Sequence, residues 1–279
     1  MKFLLRIMVI AMMIMGTHTA HAQKVGVSLA GGAALGYAHL GFLQAMDEAG
    51  VKPDCIVGTS MGAIIGMLYA AGYSPEEILQ FIKDEEMDQL TGIVFFSLHK
   101  KGGFISTDRI QKMLLKYVPH NSFDSLKCRF YCCSFNVDSI KPVYKGSGDN
   151  LVKYVMASSA VPIVFSPVWI NDCPHVDGGV YDNLPIQPLL DEQCDIRIGS
   201  LLLLEKPQQK HDVASLWLRS VFSVPFMNSF QHVDQFTDII KIDPQEYRLI
   251  DFKHVDELYQ IGYEAGKEYF NTHDISSRK

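Results

Sequence analysis

The chain has 279 residues, 48% of them hydrophobic and 20% charged, with a formal net charge of −6. That balance excludes a disordered tail, a collagen-like repeat and a small disulfide-stapled domain. It also argues against a nucleic-acid binder, whose phosphate contacts call for clustered Lys and Arg. The length suits one large α/β domain or two small ones, and no apolar run beyond residue 22 reaches the roughly 20 residues that span a bilayer.

The first 22 residues read as a leader rather than as part of the fold. Lys2 and Arg6 form a positive start, Ile7–Met15 is unbroken apolar sequence, and Ala20-His21-Ala22 places small residues at −3 and −1 of a cleavage site. The expectation is an exported protein, periplasmic or secreted, that begins at Gln23 and forms a single domain over 23–279; an uncut N-terminal anchor is the alternative. Export would put Cys55, Cys128, Cys132, Cys133, Cys173 and Cys194 in an oxidising compartment, where an even count permits disulfides. Cys55, Cys132 and Cys133 nevertheless sit in apolar, strand-like runs, so mostly free buried thiols are expected. There is no CxxC and no Cys/His pair at zinc spacing, and neither a metal nor a cofactor is expected.

Lys24–Leu29 reads as a short strand that ends in Ala30-Gly31-Gly32. From Gly36 to Ala49 the apolar spacing becomes helical, and Gly50 stops it. Pro53 precedes a second strand, Asp54–Val57; a turn follows over Gly58–Gly62, then an apolar helix over Ala63–Ala71. Ser74-Pro75-Glu76-Glu77 is an N-cap with Pro at the first helical position. Strand–helix–strand–helix within fifty residues implies parallel strands joined by helices. Further on, Leu90–Leu98 is apolar, Thr107–Tyr117 reads as a helix, Arg129–Val137 as a strand, and Val143–Tyr144 as the start of its hairpin partner. Leu151–Ser158 is a helix, Val168–Ile170 and His175–Val176 flank a turn, and Pro185–Leu190 is a short helix. Ile196–Leu204 is a buried strand, Asp212–Val233 a long helix, Asp238–Ile242 the last strand and Val255–Asn271 the last helix.

Three places carry chemistry. Gly58-Thr59-Ser60-Met61-Gly62 is G-x-S-x-G between a strand and a helix, a context that presents the serine at the sheet's carboxyl edge with the next helix's N–H groups behind it. A nucleophilic Ser60 is the reading preferred over a serine that merely N-caps the helix. The glycine loop Gly31-Gly32-Ala33-Ala34-Leu35-Gly36 lacks the third glycine of G-x-G-x-x-G, and the second strand ends in Gly58-Thr59-Ser60 instead of a ribose-binding acid. Its backbone N–H groups, with that of Met61, are better read as an oxyanion hole. Asp177-Gly178-Gly179 is either an Asp-Gly turn or a carboxylate brought close to another element. His39 reads as a packed helix residue, and His175 as a partly exposed strand residue or a pocket wall. A Ser–His–Asp arrangement would have to draw on His211, His232, His254 or His273, none of which lies in a loop motif.

Taken together, four blocks in order resemble the patatin-like phospholipase family: Leu29–Gly32 through Ala38–Gly41, Gly58–Ala63, Ala157–Pro162 and Val176–Pro185. The likeness spans roughly residues 24–205. It implies a three-layer α/β/α fold with a mainly parallel central sheet. It also implies an acyl-ester hydrolase acting on lipids through a Ser60–Asp177 dyad, with Gly31, Gly32, Ala33 and Met61 forming the oxyanion hole and Gly36, Gly58, Gly62, Gly178 and Gly179 supporting the turns. A lipid or acyl ester is the expected partner, with transient contact to a membrane surface; Val94-Phe95-Phe96 followed by Lys100-Lys101 is either an apolar lip for that contact or core packing beside a solvated turn. Two positions depart from the family pattern: Ala33 replaces a glycine and Leu35 a basic residue. Ala33→Gly with Leu35→Arg is expected to preserve or raise turnover. An acyltransferase using the same acyl-enzyme and a catalytically dead binding module are the alternatives.

Overall fold

The computed structural model describes residues 23–85, 108–162, 164–203, 220, 223–244, 247–273 and 275. The leader Met1–Ala22, the Leu90–Leu98 stretch with its apolar lip, His211, and residues 212–219 and 221–222 of the helix expected over Asp212–Val233 lie outside the described residues.

Strands β1 (Val25–Leu29), β2 (Cys55–Thr59), β3 (Arg129–Asn136), β7 (Ile196–Leu202) and β8 (Asp238–Ile242) are joined in parallel pairs, in the spatial order β3-β2-β1-β7-β8. β3 also pairs antiparallel with β4 (Lys141–Lys145) and with β6 (Cys173–Asp177), which in turn pairs antiparallel with β5 (Val168–Ile170). The sheet is thus mainly parallel with an antiparallel flank. Apolar residues alternate between its two faces because strand side chains do. Val25, Val27 and Leu29 of β1 and Ile56 of β2 enter one core cluster. Cys55 and Val57 of β2 enter a second, together with Leu189 and Leu201.

The larger cluster is covered by α1 (Ala38–Glu48), α2 (Met61–Ala70), α3 (Pro75–Asp84), α4 (Asp108–Tyr117), α5 (Leu151–Ser158) and α7 (Val255–Thr272); α6 (Gln187–Asp191) covers the smaller. Helices on both faces of a mainly parallel sheet make the expected three-layer α/β/α architecture. Ser74 caps α3 as its sequence predicts: its hydroxyl accepts from Glu77 N at 3.2 Å and the Glu77 carboxylate accepts from Ser74 N at 2.8 Å. α1 and α7 cross in close contact, since a Cβ on Gly262 would stand 1.7 Å from the Ala38 carbonyl oxygen.

Several boundaries differ from expectation. The helix read from Gly36 begins as a 3-10 turn over Ala33–Tyr37 and becomes α-helical at Ala38. β2 runs two residues further than its apolar core, through Gly58 and Thr59, because both pair with β3. Where the helix of 212–233 is described, 223–228 are helical and the chain then turns, with a 3-10 segment over Val233–Gln235. All six cysteines are free thiols, and Cys55, Cys132, Cys133 and Cys194 are buried.

Candidate active site

The long strand β3 brings the site together. Its residues 129–133 pair with β2, which ends at Thr59 opposite Cys133. The next residue, Ser134, pairs with Asp177, the last residue of β6, which runs the other way. Cys132 and Cys133 also pair with β4, as does Ser134, so β4 occupies the far edge of β3 and β2 and β6 share the near one. The carboxyl ends of β2 and β6 therefore meet head to head on consecutive β3 residues. Ser60 follows one and Asp177 closes the other.

Ser60 sits at φ 56°, ψ −124°, between the last residue of β2 and the first of α2. Such backbone angles in a non-glycine residue cost of order 1–3 kcal/mol and persist only where the surroundings hold them. The turn closes because its flanking residues lack side chains. A Cβ on Gly58 would lie 2.4 Å from the Gly62 carbonyl oxygen, and one on Gly62 only 2.3 Å from that of Leu29. The Ser60 N–H donates to Ser158 Oγ at 3.0 Å, and the Ser159 hydroxyl donates to the Ser60 carbonyl at 3.2 Å.

The Asp177 carboxylate accepts a hydrogen bond from Gly179 N at 2.8 Å, and the Ser60 hydroxyl lies near enough to favour its charged form. Burial raises its pKa from 3.8 to about 6, although the Gly179 N–H and the Ser60 hydroxyl both favour the charged form. Gly178 has no room for a side chain, since a Cβ would be 2.3 Å from the Cys133 carbonyl oxygen. A second buried carboxyl, Asp182, accepts from the Tyr144 hydroxyl at 2.5 Å, and its main-chain carbonyl accepts from the Thr59 hydroxyl at 3.0 Å. Burial raises its pKa too. It buttresses the end of β2.

The glycine loop reaches the same place from β1, beside the point between β1 and β7 where the strand order reverses, the usual position of a ligand crevice in such sheets. Gly31 and Gly32 line a cleft open to solvent, with Ser60, Asp177, Val161 and Asn183. One expectation needs correcting. The Gly31 N–H is already donated to the Asn183 carbonyl at 3.1 Å, so Gly31 contributes by its missing side chain: a Cβ there would lie 3.1 Å from Ser60 Cβ and 2.5 Å from Asn183 Oδ1. Ala34 and Leu35 donate to Leu249 and Gly32. Among the described residues, the N–H groups of Gly32, Ala33 and Met61 have no such partner. Ala33 lies at φ 48°, the left-handed region in which its Cβ is strained. Leu35 is fully buried in the larger core cluster, so the expected gain from Leu35→Arg does not stand: the cation would be buried among apolar side chains.

No histidine among the described residues hydrogen-bonds Ser60 or Asp177. His39 is fully buried, with Nε2–H donated to the Ala30 carbonyl at 2.8 Å and Nδ1 2.8 Å from Ser200 Oγ. Burial lowers its pKa to about 4, so it is a neutral strut under the glycine loop. His175, expected to be partly exposed or to line the pocket, is buried between Ser134 and Asn136 and is absent from the cleft wall. Asn183, Pro225, Phe226 and Leu249 line the cleft without having been singled out. Asn183 lies inside a block that the sequence did mark, but Pro225, Phe226 and Leu249 come from remote segments with no local signal. No three His, Cys, Asp or Glu side chains among the described residues converge as a metal site.

A strand–serine–helix turn thus stands beside a buried aspartate and a glycine loop on a three-layer α/β/α scaffold. The chain belongs to the patatin-like phospholipase family, whose profile matches residues 27–190. It is 25% identical over 282 residues to the lysophospholipase NTE1 of Kluyveromyces lactis, covering 90% of this chain and 19% of that protein. It is 26% identical over 280 residues to the lysophospholipase nte1 of Aspergillus terreus, covering 88% and 18%. The chain thus spans about a fifth of the length of these curated relatives. Among solved structures, VipD from Legionella pneumophila shares the fold, with a TM-score of 0.56 at 14% identity, over 90% of this chain and 67% of that one.

Proposed function

We propose that this protein is a serine acyl hydrolase of lipid esters, of the phospholipase A or lysophospholipase kind, in which Ser60 is the nucleophile and Asp177 the only base. The observation that carries the reading is the buried Asp177 carboxylate lining one cleft with Ser60, brought there by strand ends that meet on consecutive β3 residues. A serine hydroxyl attacks poorly until a neighbour takes its proton, and a desolvated carboxylate is a stronger base than one in water. As Ser60 Oγ bonds to the acyl carbon, its proton passes to Asp177. The carbonyl oxygen becomes an oxyanion held by the free N–H groups of Gly32, Ala33 and Met61. Collapse expels the alcohol, which takes the proton from Asp177, and leaves an acyl-Ser60. Water, deprotonated by Asp177, attacks that ester and returns the enzyme to its starting state. The N–H groups supply the larger electrostatic share, on the order of 3 kcal/mol per donor in measured cases.

The same reading takes the Met1–Ala22 leader as an export signal and the cleft mouth as the side that meets a lipid surface. The test is a screen of phospholipids and lysophospholipids with protein starting at Gln23, beside Ser60→Ala, and with an organophosphonate probe. One adduct on the native protein, none on Ser60→Ala, and fatty acid release that disappears with Ser60 are expected. Labelling of Ser60→Ala would overturn the nucleophile. Labelling without product release would point to a binding module, and acyl transfer to an added alcohol in preference to water would point to a transferase.

A further inference from the structure

The short segment Ser158–Ala160, at the end of α5, touches both partners of the site. Ser158 Oγ accepts the Ser60 N–H at 3.0 Å. Ser159 Oγ donates to the Ser60 carbonyl at 3.2 Å and lies 3.0 Å from the Val155 carbonyl, so its proton is shared between the helix and the turn. One residue on, the Ala160 carbonyl accepts the Asp177 N–H at 2.9 Å. Ser158 and Ala160 are fully buried, and α5 is anchored in the core through Leu151, Val152 and Val155. Ser60 is therefore held on both sides of its strained Cα by two hydroxyls, and Asp177 is held by the same three-residue stretch. Strand pairing alone would not set the spacing, because Ser60 lies beyond the last β2–β3 pair and its φ of 56° departs from strand geometry.

We propose that Ser158, assisted by Ser159, is a positioning residue that fixes the Ser60 Oγ–Asp177 distance from the end of α5, without touching substrate. The inference rests on the Ser60–Asp177 reading above. Misplacing a nucleophile by about 1 Å can lower a rate on the order of 100-fold, whereas a residue that only supports the fold would leave the rate of the folded protein unchanged. The hydroxyl of Ser158 is the feature at issue: its acceptor oxygen meets an N–H that has no helical partner at the first turn of α2.

The experiment measures kcat and KM for p-nitrophenyl butyrate, and the rate of fluorophosphonate labelling, well below the melting temperature of each variant. Ser158→Ala is expected to lower kcat and the labelling rate together, about tenfold or more, with KM within about twofold. Ser158→Cys fills the same space but is a poor acceptor, and is expected to match Ser158→Ala. Ser158→Thr, which keeps the hydroxyl, is expected to recover part of the loss. Ser159→Ala, losing a shared donor, is expected to show a smaller loss of about threefold. Native kcat in folded Ser158→Ala overturns the proposal; should that variant not fold, native kcat in Ser158→Cys does so. A loss carried wholly by KM also overturns it. Ser60→Ala is run in parallel. If it retains activity, the reading of the site fails; if it is inactive while the Ser158 variants behave as native protein, only the positioning role of Ser158 is refuted.

Discussion

Replacing Asp177 with Asn tests the site twice, because the same burial that makes the carboxylate a useful base makes it a burden on the fold. Asn keeps the shape and can still accept from Gly179 N, but it cannot take the Ser60 proton. Turnover is expected to fall by about 10²–10⁴, the usual contribution of general-base catalysis. In native protein the free-enzyme activity should fall about tenfold per pH unit below about 6, where the folded carboxyl becomes protonated, and hold above it. Stability runs the opposite way. The folded pKa is raised from 3.8 to about 6, so between those values the folded state binds more protons than the unfolded one, and stability declines as pH rises through this window. At 1.36 kcal/mol per pH unit the decline is roughly 3 kcal/mol by neutral pH. Asp177→Asn has no such titration. Its unfolding free energy relative to native protein should therefore be greater at pH 7 than at pH 4 by about 2.4 kcal/mol, since the unfolded carboxyl is already partly ionised at pH 4, read from urea unfolding of both proteins at both values. Comparing the two differences cancels the other carboxylates. An equal difference at the two pH values, or an acid limb of activity unmoved from the ordinary carboxylate range near 4, would show that Asp177 is neither desolvated nor the base.

Ala33→Gly should raise the unfolding free energy by about 1 kcal/mol, because it relieves a left-handed φ of 48°, while Leu35→Arg should lower the melting temperature sharply by burying an unpaired cation; thermal melts of the two single variants separate the effects. Gly62→Ala should lose both soluble yield and activity, since the new Cβ would stand 2.3 Å from the Leu29 carbonyl oxygen, and native-like turnover in that variant would mean the turn is looser than described. None of His39→Gln, His175→Gln, His211→Gln, His232→Gln or His254→Gln should approach the turnover loss of Asp177→Asn in folded protein, although His39→Gln should destabilise by disturbing its contacts with Ala30 and Ser200; one histidine whose loss alone abolishes turnover would replace the dyad with a triad. N-terminal sequencing of the exported protein should begin at Gln23, and a full-length, membrane-embedded product would make the leader an anchor.

What could be read from the chain directly was local. A serine between Gly58 and Gly62, after an apolar strand and before an apolar helix, can form the strained turn because nothing larger than hydrogen fits at either glycine. The Ser74–Glu77 cap and the alternating apolar residues of β1 and β2 follow from contacts within a few residues. The glycine loop was legible as a donor array, but not which of its donors were free. Gly31 donates to Asn183, a residue 152 positions away, and only the folded loop shows it. Leu35 looked like a vacant place for a cation until its burial showed that the side chain belongs to the core. His175 reads as a partly exposed strand residue or a pocket wall because alternation does not reveal that β3 covers it through Ser134 and Asn136. The meeting of Ser60 and Asp177 depends on β3 extending past the end of β2 and offering its next residue to β6, a fact of strand register. The rise in the Asp177 pKa is likewise tertiary, since it comes from apolar and backbone groups gathered from distant segments to exclude water. Local sequence determines which residues can make a strained turn, a cap or a free N–H, because those depend on sterics and bonding over a few residues. Distance, burial and proton affinity at the site were left to the tertiary structure, because each is set by atoms that the chain brings together only on folding.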